Sequence, residues 1–186
     1  MPLTPLHLGP GLLLGVLTLR FFNFWAILFG SIVMDIEPMV LLIVNPCYHC
    51  PHHSFFHSIL GAILGSLILA AILWKFREKL NEISLRFKIQ QPPSGNEARD
   101  EAKPQRSFSF KVLFSSSLIA WLIHIFFDSL THFDVFLLWP LKYQPTFIGK
   151  EIYWPLNLLF LIFGILGILF LLKKLKNEKS FGIRNF

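Results

Sequence analysis

Asp35 and Glu37 flank Ile36 in a stretch of chain that is otherwise almost wholly apolar. His124 and Asp128 stand four apart in a second such stretch, in His-Ile-Phe-Phe-Asp, and His53 and His57 stand four apart in His-Ser-Phe-Phe-His. A spacing of four stacks two side chains on one face of a helix, so each pair can offer two donors in one direction. His52 can substitute for its neighbour, His132 and Asp134 follow about one turn after Asp128, and His7 approaches from the N-terminus. Nitrogen and carboxylate donors from several segments, with no thiolate among them, suit a divalent metal: zinc first, manganese or iron next, as one ion or two. Asp35, His53, His57, His124 and Asp128 are therefore the expected ligands, with His7, His52, His132 and Asp134 as supporting or alternative ones. Metal-bound water titrates near neutrality, and a nearby carboxylate can take and return its proton. Glu37 is the catalytic candidate for that task.

Each feature alone has a plainer reading. One histidine at a helix end usually hydrogen-bonds a carbonyl, and one pair at a spacing of four is more often structural than ligating. The case rests on convergence, because ionisable groups inside a membrane are costly and by default mark a functional site. Cys47-Tyr48-His49-Cys50 is weaker. A redox role for a Cys-x-x-Cys needs a thioredoxin-like βαβ setting that the chain does not contain, which leaves a local disulfide or two free thiols.

The elements that must position these residues are membrane helices. The chain has 186 residues, 54% of them hydrophobic, with 21 Phe and a mean hydropathy of +0.58. That is too apolar for a soluble domain and too short for more than one membrane unit. Runs of about 18 or more apolar residues can cross a hydrocarbon core of about 30 Å. Residues 56–74, 112–130 and 154–172 meet that test. Residues 8–44 are too long for one span and divide into a short helix up to Arg20 and a second from about Phe21, broken near Pro38. Proline lacks the N–H of the helical ladder and biases the preceding residue away from helix, so Glu37 is expected at a helix end or kink. Residues 131–153, with Trp139-Pro140 and Gln144-Pro145, read as a re-entrant or interfacial loop. The expectation is an all-α, polytopic membrane bundle of four to five transmembrane helices. The embedded domain covers residues 1–172, with a hydrophilic insertion at 75–111 and a basic tail at 173–186. Gly61, Gly65, Gly164 and Gly167 suit close helix packing, and Trp139, Tyr153 and Trp154 suit interfacial anchoring.

Charge gives the orientation. Nine of the 17 Lys and Arg lie in residues 75–111, five more in the tail, and Arg20 joins them if every proposed span crosses. The positive-inside rule makes that side cytoplasmic. All seven histidines then fall on the opposite side or in the opposite half of the bundle. The basic residues flank apolar runs instead of forming a nucleic-acid patch, so no nucleic-acid partner is expected; membrane lipids are. The N-terminus has neither the basic region nor the small-residue cleavage site of a signal peptide, which keeps His7 in the expected site.

Four motifs in order also resemble a known family: Met1-Pro2-Leu3-Thr4-Pro5-Leu6-His7-Leu8-Gly9-Pro10, Asp35-Ile36-Glu37-Pro38, His53-Ser54-Phe55-Phe56-His57-Ser58, and His124-x-x-x-Asp128-Ser129-Leu130-Thr131-His132 leading to Trp139-Pro140. They resemble the YdjM-like group of membrane-bound hydrolases of bacteria and archaea, assigned as metal-dependent and also described as LexA-binding and inner-membrane-associated. The likeness covers most of residues 1–172 outside the insertion. It implies a helical membrane fold with a His/Asp metal site and a hydrolase activity. The family often has Arg after the first histidine of its His-Arg motif, where this chain has Ser54, or His53 if His52 is the counterpart. If that Arg binds an anionic substrate, this chain lacks it or supplies the charge elsewhere.

The expected function is that of a metal-dependent hydrolase in the plasma membrane of a prokaryote. It would act on a lipid or lipid-linked ester, phosphoester or amide at the outer interface. The alternatives are a metal-ion transport or sensing protein, favoured by a broken helix near a midplane ion site, and a structural protein whose polar cluster ties helices together.

Overall fold

The computed structural model describes residues 4–44, 55–87, 89, 108–142 and 148–182. His49, His52, His53, Cys47, Cys50, Gln144 and Pro145 lie outside them. Among the described residues seven α-helices carry the fold: α1 Leu8–Leu17, α2 Phe24–Gly30, α3 Ile36–Val44, α4 Ile59–Lys75, α5 Arg77–Arg86, α6 Phe110–Thr131 and α7 Tyr153–Gly182. There is no strand among the described residues. Among the described residues three segments are long and apolar enough to cross a membrane: Phe24–Val44, Phe110–Thr131 and Tyr153–Lys176. α4 with α5, bent by 73°, makes a fourth if the pair is one broken span. At about 1.5 Å per residue α1 reaches about 15 Å, half a hydrocarbon core, so it cannot cross alone.

The surface is that of a protein solvated by lipid. Leu158, Ile165 and Leu169 of α7 and Ile68 and Ile72 of α4 are exposed, whereas Ser66, Ser116, Ser117, His57 and Asp128 are buried. Hydrocarbon cannot satisfy polar groups, so these turn inward and the aliphatic side chains turn out.

α6 is central and packs against both α2 and α4, while α1 lies between α2 and α7. The close seams need small residues. A methyl group on Gly9 would run into the Phe160 carbonyl of α7, and one on Gly167 would meet the backbone of Leu13 in α1. Across the bundle, the absent side chain of Gly65 leaves room for the Trp121 ring, whose Nε1 donates to the Phe56 carbonyl at 2.9 Å. Gly9→Ala is expected to destabilise the protein by about 1–3 kcal/mol through overpacking of backbone on backbone. A thermal unfolding series in detergent checks this, with an alanine at the exposed Leu161 as the neutral comparison.

Side-chain caps set the helix starts. Asn23 accepts from the Ala26 N–H at 3.0 Å to open α2, and Ser58 accepts from the Gly61 N–H at 3.0 Å to open α4, each filling one orphan donor of a first turn. Asn23 is further fixed by its own N–H, which donates to Ser116 Oγ of α6 at 2.9 Å. At that end of the bundle Trp25 Nε1 donates to Ser84 Oγ of α5 at 2.7 Å, and Lys174 Nζ of α7 donates to the Ile89 carbonyl at 2.9 Å. The end of α4, α5, the start of α6 and the end of α7 thus bring Lys75, Arg77, Lys111, Lys173 and Lys174 together. His7, His57, His124 and His132 lie towards the other end.

Two local differences from the sequence reading matter. The span expected over residues 56–74 begins as a helix only at Ile59, because Ser58 is extended, and Phe55–His57 forms a 3-10 turn ahead of it. His57 is therefore presented by a turn and not by the face of a long helix. The break expected near Pro38 lies earlier: α2 ends at Gly30, a 3-10 turn spans Val33–Asp35, and α3 starts at Ile36. Pro38 then sits in the first turn of α3, where its missing N–H leaves no bond unmade.

Candidate metal centre

Each break in the helices delivers one donor. The 3-10 turn Val33–Asp35 places Asp35, the turn Phe55–His57 places His57, and α6 contributes His124 and Asp128 from one face. One ligand atom from each of these four residues lies within 4.8 Å of the other three, and all four residues are buried. His124 Nε2 is 3.0 Å from Asp128 Oδ2 and 3.1 Å from Asp35 Oδ1. His57 Nε2 is 3.6 Å from Asp128 Oδ2 and 3.9 Å from Asp35 Oδ1.

The far nitrogens decide what those near ones can be. His124 Nδ1 lies 2.7 Å from the Ser31 carbonyl oxygen, which can only accept, so this nitrogen carries the proton. In a neutral His124 the Nε2 atom then bears a lone pair and faces two carboxylate oxygens at hydrogen-bond distance. His57 repeats the arrangement: its Nδ1 is 3.0 Å from Glu37 Oε2, which directs Nε2 towards the same two acids. Acceptors converging on one point repel one another in a buried setting unless a proton or a cation sits among them. Asp35 Oδ2 adds a buried oxygen with no hydrogen-bond partner. Two imidazole nitrogens and two carboxylates without sulfur form a donor set that zinc, manganese and iron all accept, and a histidine whose other nitrogen is tied to a carboxylate or carbonyl is the usual form of a ligating one. The residues present fit a divalent ion.

Of the five expected ligands, Asp35, His57, His124 and Asp128 are brought together, and His53 lies outside the described residues, as does His52. His7 comes close: its ring stacks on that of His124 at 4.1 Å between centroids, and its Nε2 is 3.6 Å from Asp128 Oδ1. His132 caps the end of α6 through its backbone N–H, which donates to the Asp128 carbonyl at 2.9 Å. Asp134 is buried, and neither His132 nor Asp134 is part of the four-residue group. Glu37 stands behind His57, where its Oε1 also accepts the Phe56 N–H at 3.3 Å. The sequence reading did not single out Ser31, whose contribution is a backbone carbonyl and so leaves no trace in residue type.

Neither the curated proteins nor the solved structures include a match to this chain. The profile of the YdjM inner membrane protein family matches residues 1–183, nearly the whole length; the protein belongs to that family, a multi-pass protein of the plasma membrane.

Proposed function

We propose that this protein is a membrane-embedded, metal-dependent hydrolase of a lipid or lipid-linked ester, phosphoester or amide, with Asp35, His57, His124 and Asp128 holding the ion. The observation that carries the reading is the convergence of two imidazole nitrogens and two carboxylates within 4.8 Å, each imidazole held from behind by an acceptor. Held by these four residues, a divalent ion would supply Lewis acidity for the scissile group and for water. The chain's own residues do the rest. Glu37 and the Ser31 carbonyl hold the imidazoles in one tautomer, and the apolar helices exclude bulk water. His7, beside Asp128, is placed to exchange a proton with a group approaching that carboxylate.

Zinc is the first choice because the set is small and mixes nitrogen with oxygen. The basic end carrying α5 and the end of α7 is cytoplasmic by the positive-inside rule, which puts the site in the outer half of the membrane. A reporter fused after residue 182 checks this: green fluorescent protein should fluoresce there and alkaline phosphatase should stay inactive.

The deciding experiment is metal content by mass spectrometry on protein purified gently without chelator, beside His57→Ala and Asp128→Ala, followed by hydrolysis assays on lipid esters, phosphoesters and amides. Near-stoichiometric metal in the wild type, depleted in both variants, with a metal-dependent turnover of one class, is the expected outcome. A wild type that takes up no metal even after add-back would leave the cluster as a helix tie.

A further inference from the structure

A cavity of about 210 Å³ opens directly off the candidate metal centre. His7, Ser31 and His124 form one end of it, and Leu13, Leu14 and Leu17 of α1, Ile123 and Phe127 of α6 and Phe163 of α7 form its walls. Its polar end is therefore made by residues of the centre and the rest is hydrocarbon. His7, Gly11, Leu14 and Leu17 repeat at spacings of three and four, so the cavity follows one face of α1. It extends about 15 Å at 1.5 Å per residue, from the site towards Arg20. Leu17 is 61% exposed and marks the far mouth.

Three properties select the occupant. Its lining passes from the polar groups of His7, Ser31 and His124 to hydrocarbon along one face of α1, the order of polar head and alkyl chain in a lipid. It descends from the histidine end of the bundle towards the middle, the direction in which the chains of a lipid in that leaflet run, and its reach is about half of a hydrocarbon core. Its polar end is formed by residues of the centre, so the head of a seated chain lies against that centre, and in an acyl lipid this head is the carboxylic ester or amide while any phosphoester is several bonds further on.

We propose that this cavity seats one acyl chain of a membrane lipid, presenting the carboxylic ester or amide at the head of that chain to the centre. The assignment rests on the hydrolase reading and narrows it from esters, phosphoesters and amides to acyl bonds. Water gives its oxygen to the acyl carbon, the carbon–oxygen or carbon–nitrogen bond breaks, and the leaving alcohol or amine takes a proton; no oxidant or reductant is required. The products are a fatty acid and the headgroup alcohol or amine.

The test measures occupancy without turnover. Purified protein in detergent is irradiated with a monoacylglycerol carrying a diazirine in its chain, and adducts are counted by intact mass and located by peptide mapping. Adducts are expected on the facing surfaces of α1, α6 and α7 and should be displaced by unlabelled monoacylglycerol. Ile123→Trp, which fills the channel, and Leu17→Trp, which blocks its exposed mouth, should each cut labelling roughly tenfold, the cost of leaving about two methylenes outside. Leu161→Trp, on the lipid-facing side of α7, should not change it. Should Ile123→Trp fail to fold, Leu17→Trp decides alone. Equal labelling in all variants, or adducts spread over the outer face of α7, overturns the assignment. Labelling needs neither metal nor catalysis, so a protein that labels as expected but never hydrolyses the lipid with any metal refutes the hydrolase reading and leaves the chain site standing.

Discussion

Alanine at His124 is expected to weaken metal binding by at least about 10²-fold, as one ligand of four is removed from an ion whose total binding energy is of order ten kcal/mol. His124 is the sharpest choice because its Nε2 is nearest to both acids, at 3.0 and 3.1 Å. Its loss also leaves Asp35 and Asp128 facing each other without the group between them, and two buried carboxylates cannot both stay ionised at close range. Thermal unfolding with and without added zinc gives the readout. A ligand at 100 times its dissociation constant stabilises the folded state by about 2.7 kcal/mol. The wild type should show a clear upward shift in midpoint, and His124→Ala should show almost none at the same zinc concentration. A variant that shifts like the wild type would remove His124 from the ligand set and leave its contacts with the acids purely structural.

Glu37→Ala is expected to reduce metal affinity by about 10- to 100-fold without touching a ligand. The cause is orientation: Glu37 Oε2 holds Nδ1 of His57 at 3.0 Å, and without it the ring can turn or adopt the tautomer that puts a proton on Nε2. Glu37→Gln keeps an acceptor oxygen for the same N–H and loses the charge, so it should recover part of the affinity. The pair of variants separates two roles for this residue. If Glu37→Ala holds metal as the wild type does but loses turnover, Glu37 is the proton carrier and acts on substrate. If affinity and turnover fall together and glutamine restores both, it is a positioning residue. The geometry favours the second outcome, since the carboxylate is engaged behind the imidazole.

Much of this protein was open to a reader of the sequence. Hydrocarbon demands long apolar helices with internally satisfied backbones, and residue type reports that demand directly. The all-α membrane bundle and the collection of basic residues at one end follow from it. Asp35, His57, His124 and Asp128 stood out for a related reason: in a chain this apolar, an intramembrane acid or imidazole is rare and expensive. The pairing of His124 with Asp128 needed only helical periodicity, and α6 is a continuous helix across both.

Tertiary structure decided what periodicity cannot report. His57 is delivered by a 3-10 turn and Asp35 by the break between α2 and α3. Such breaks depend on caps and on packing against α6 more than on the local spacing of apolar residues. The far nitrogens of the two imidazoles meet their partners, one a carboxylate 20 residues away and one a backbone carbonyl 93 residues away, only when α2, α3, the turn ahead of α4 and α6 are docked. The acyl-chain cavity is also a product of docking. Its walls come mainly from α1, α6 and α7, and its shape depends on how α1 sits against α7, a seam where Gly9 and Gly167 leave no room for a Cβ. Composition records the energy of burying each residue, whereas the shape of a void depends on the distances between helices that no single segment encodes.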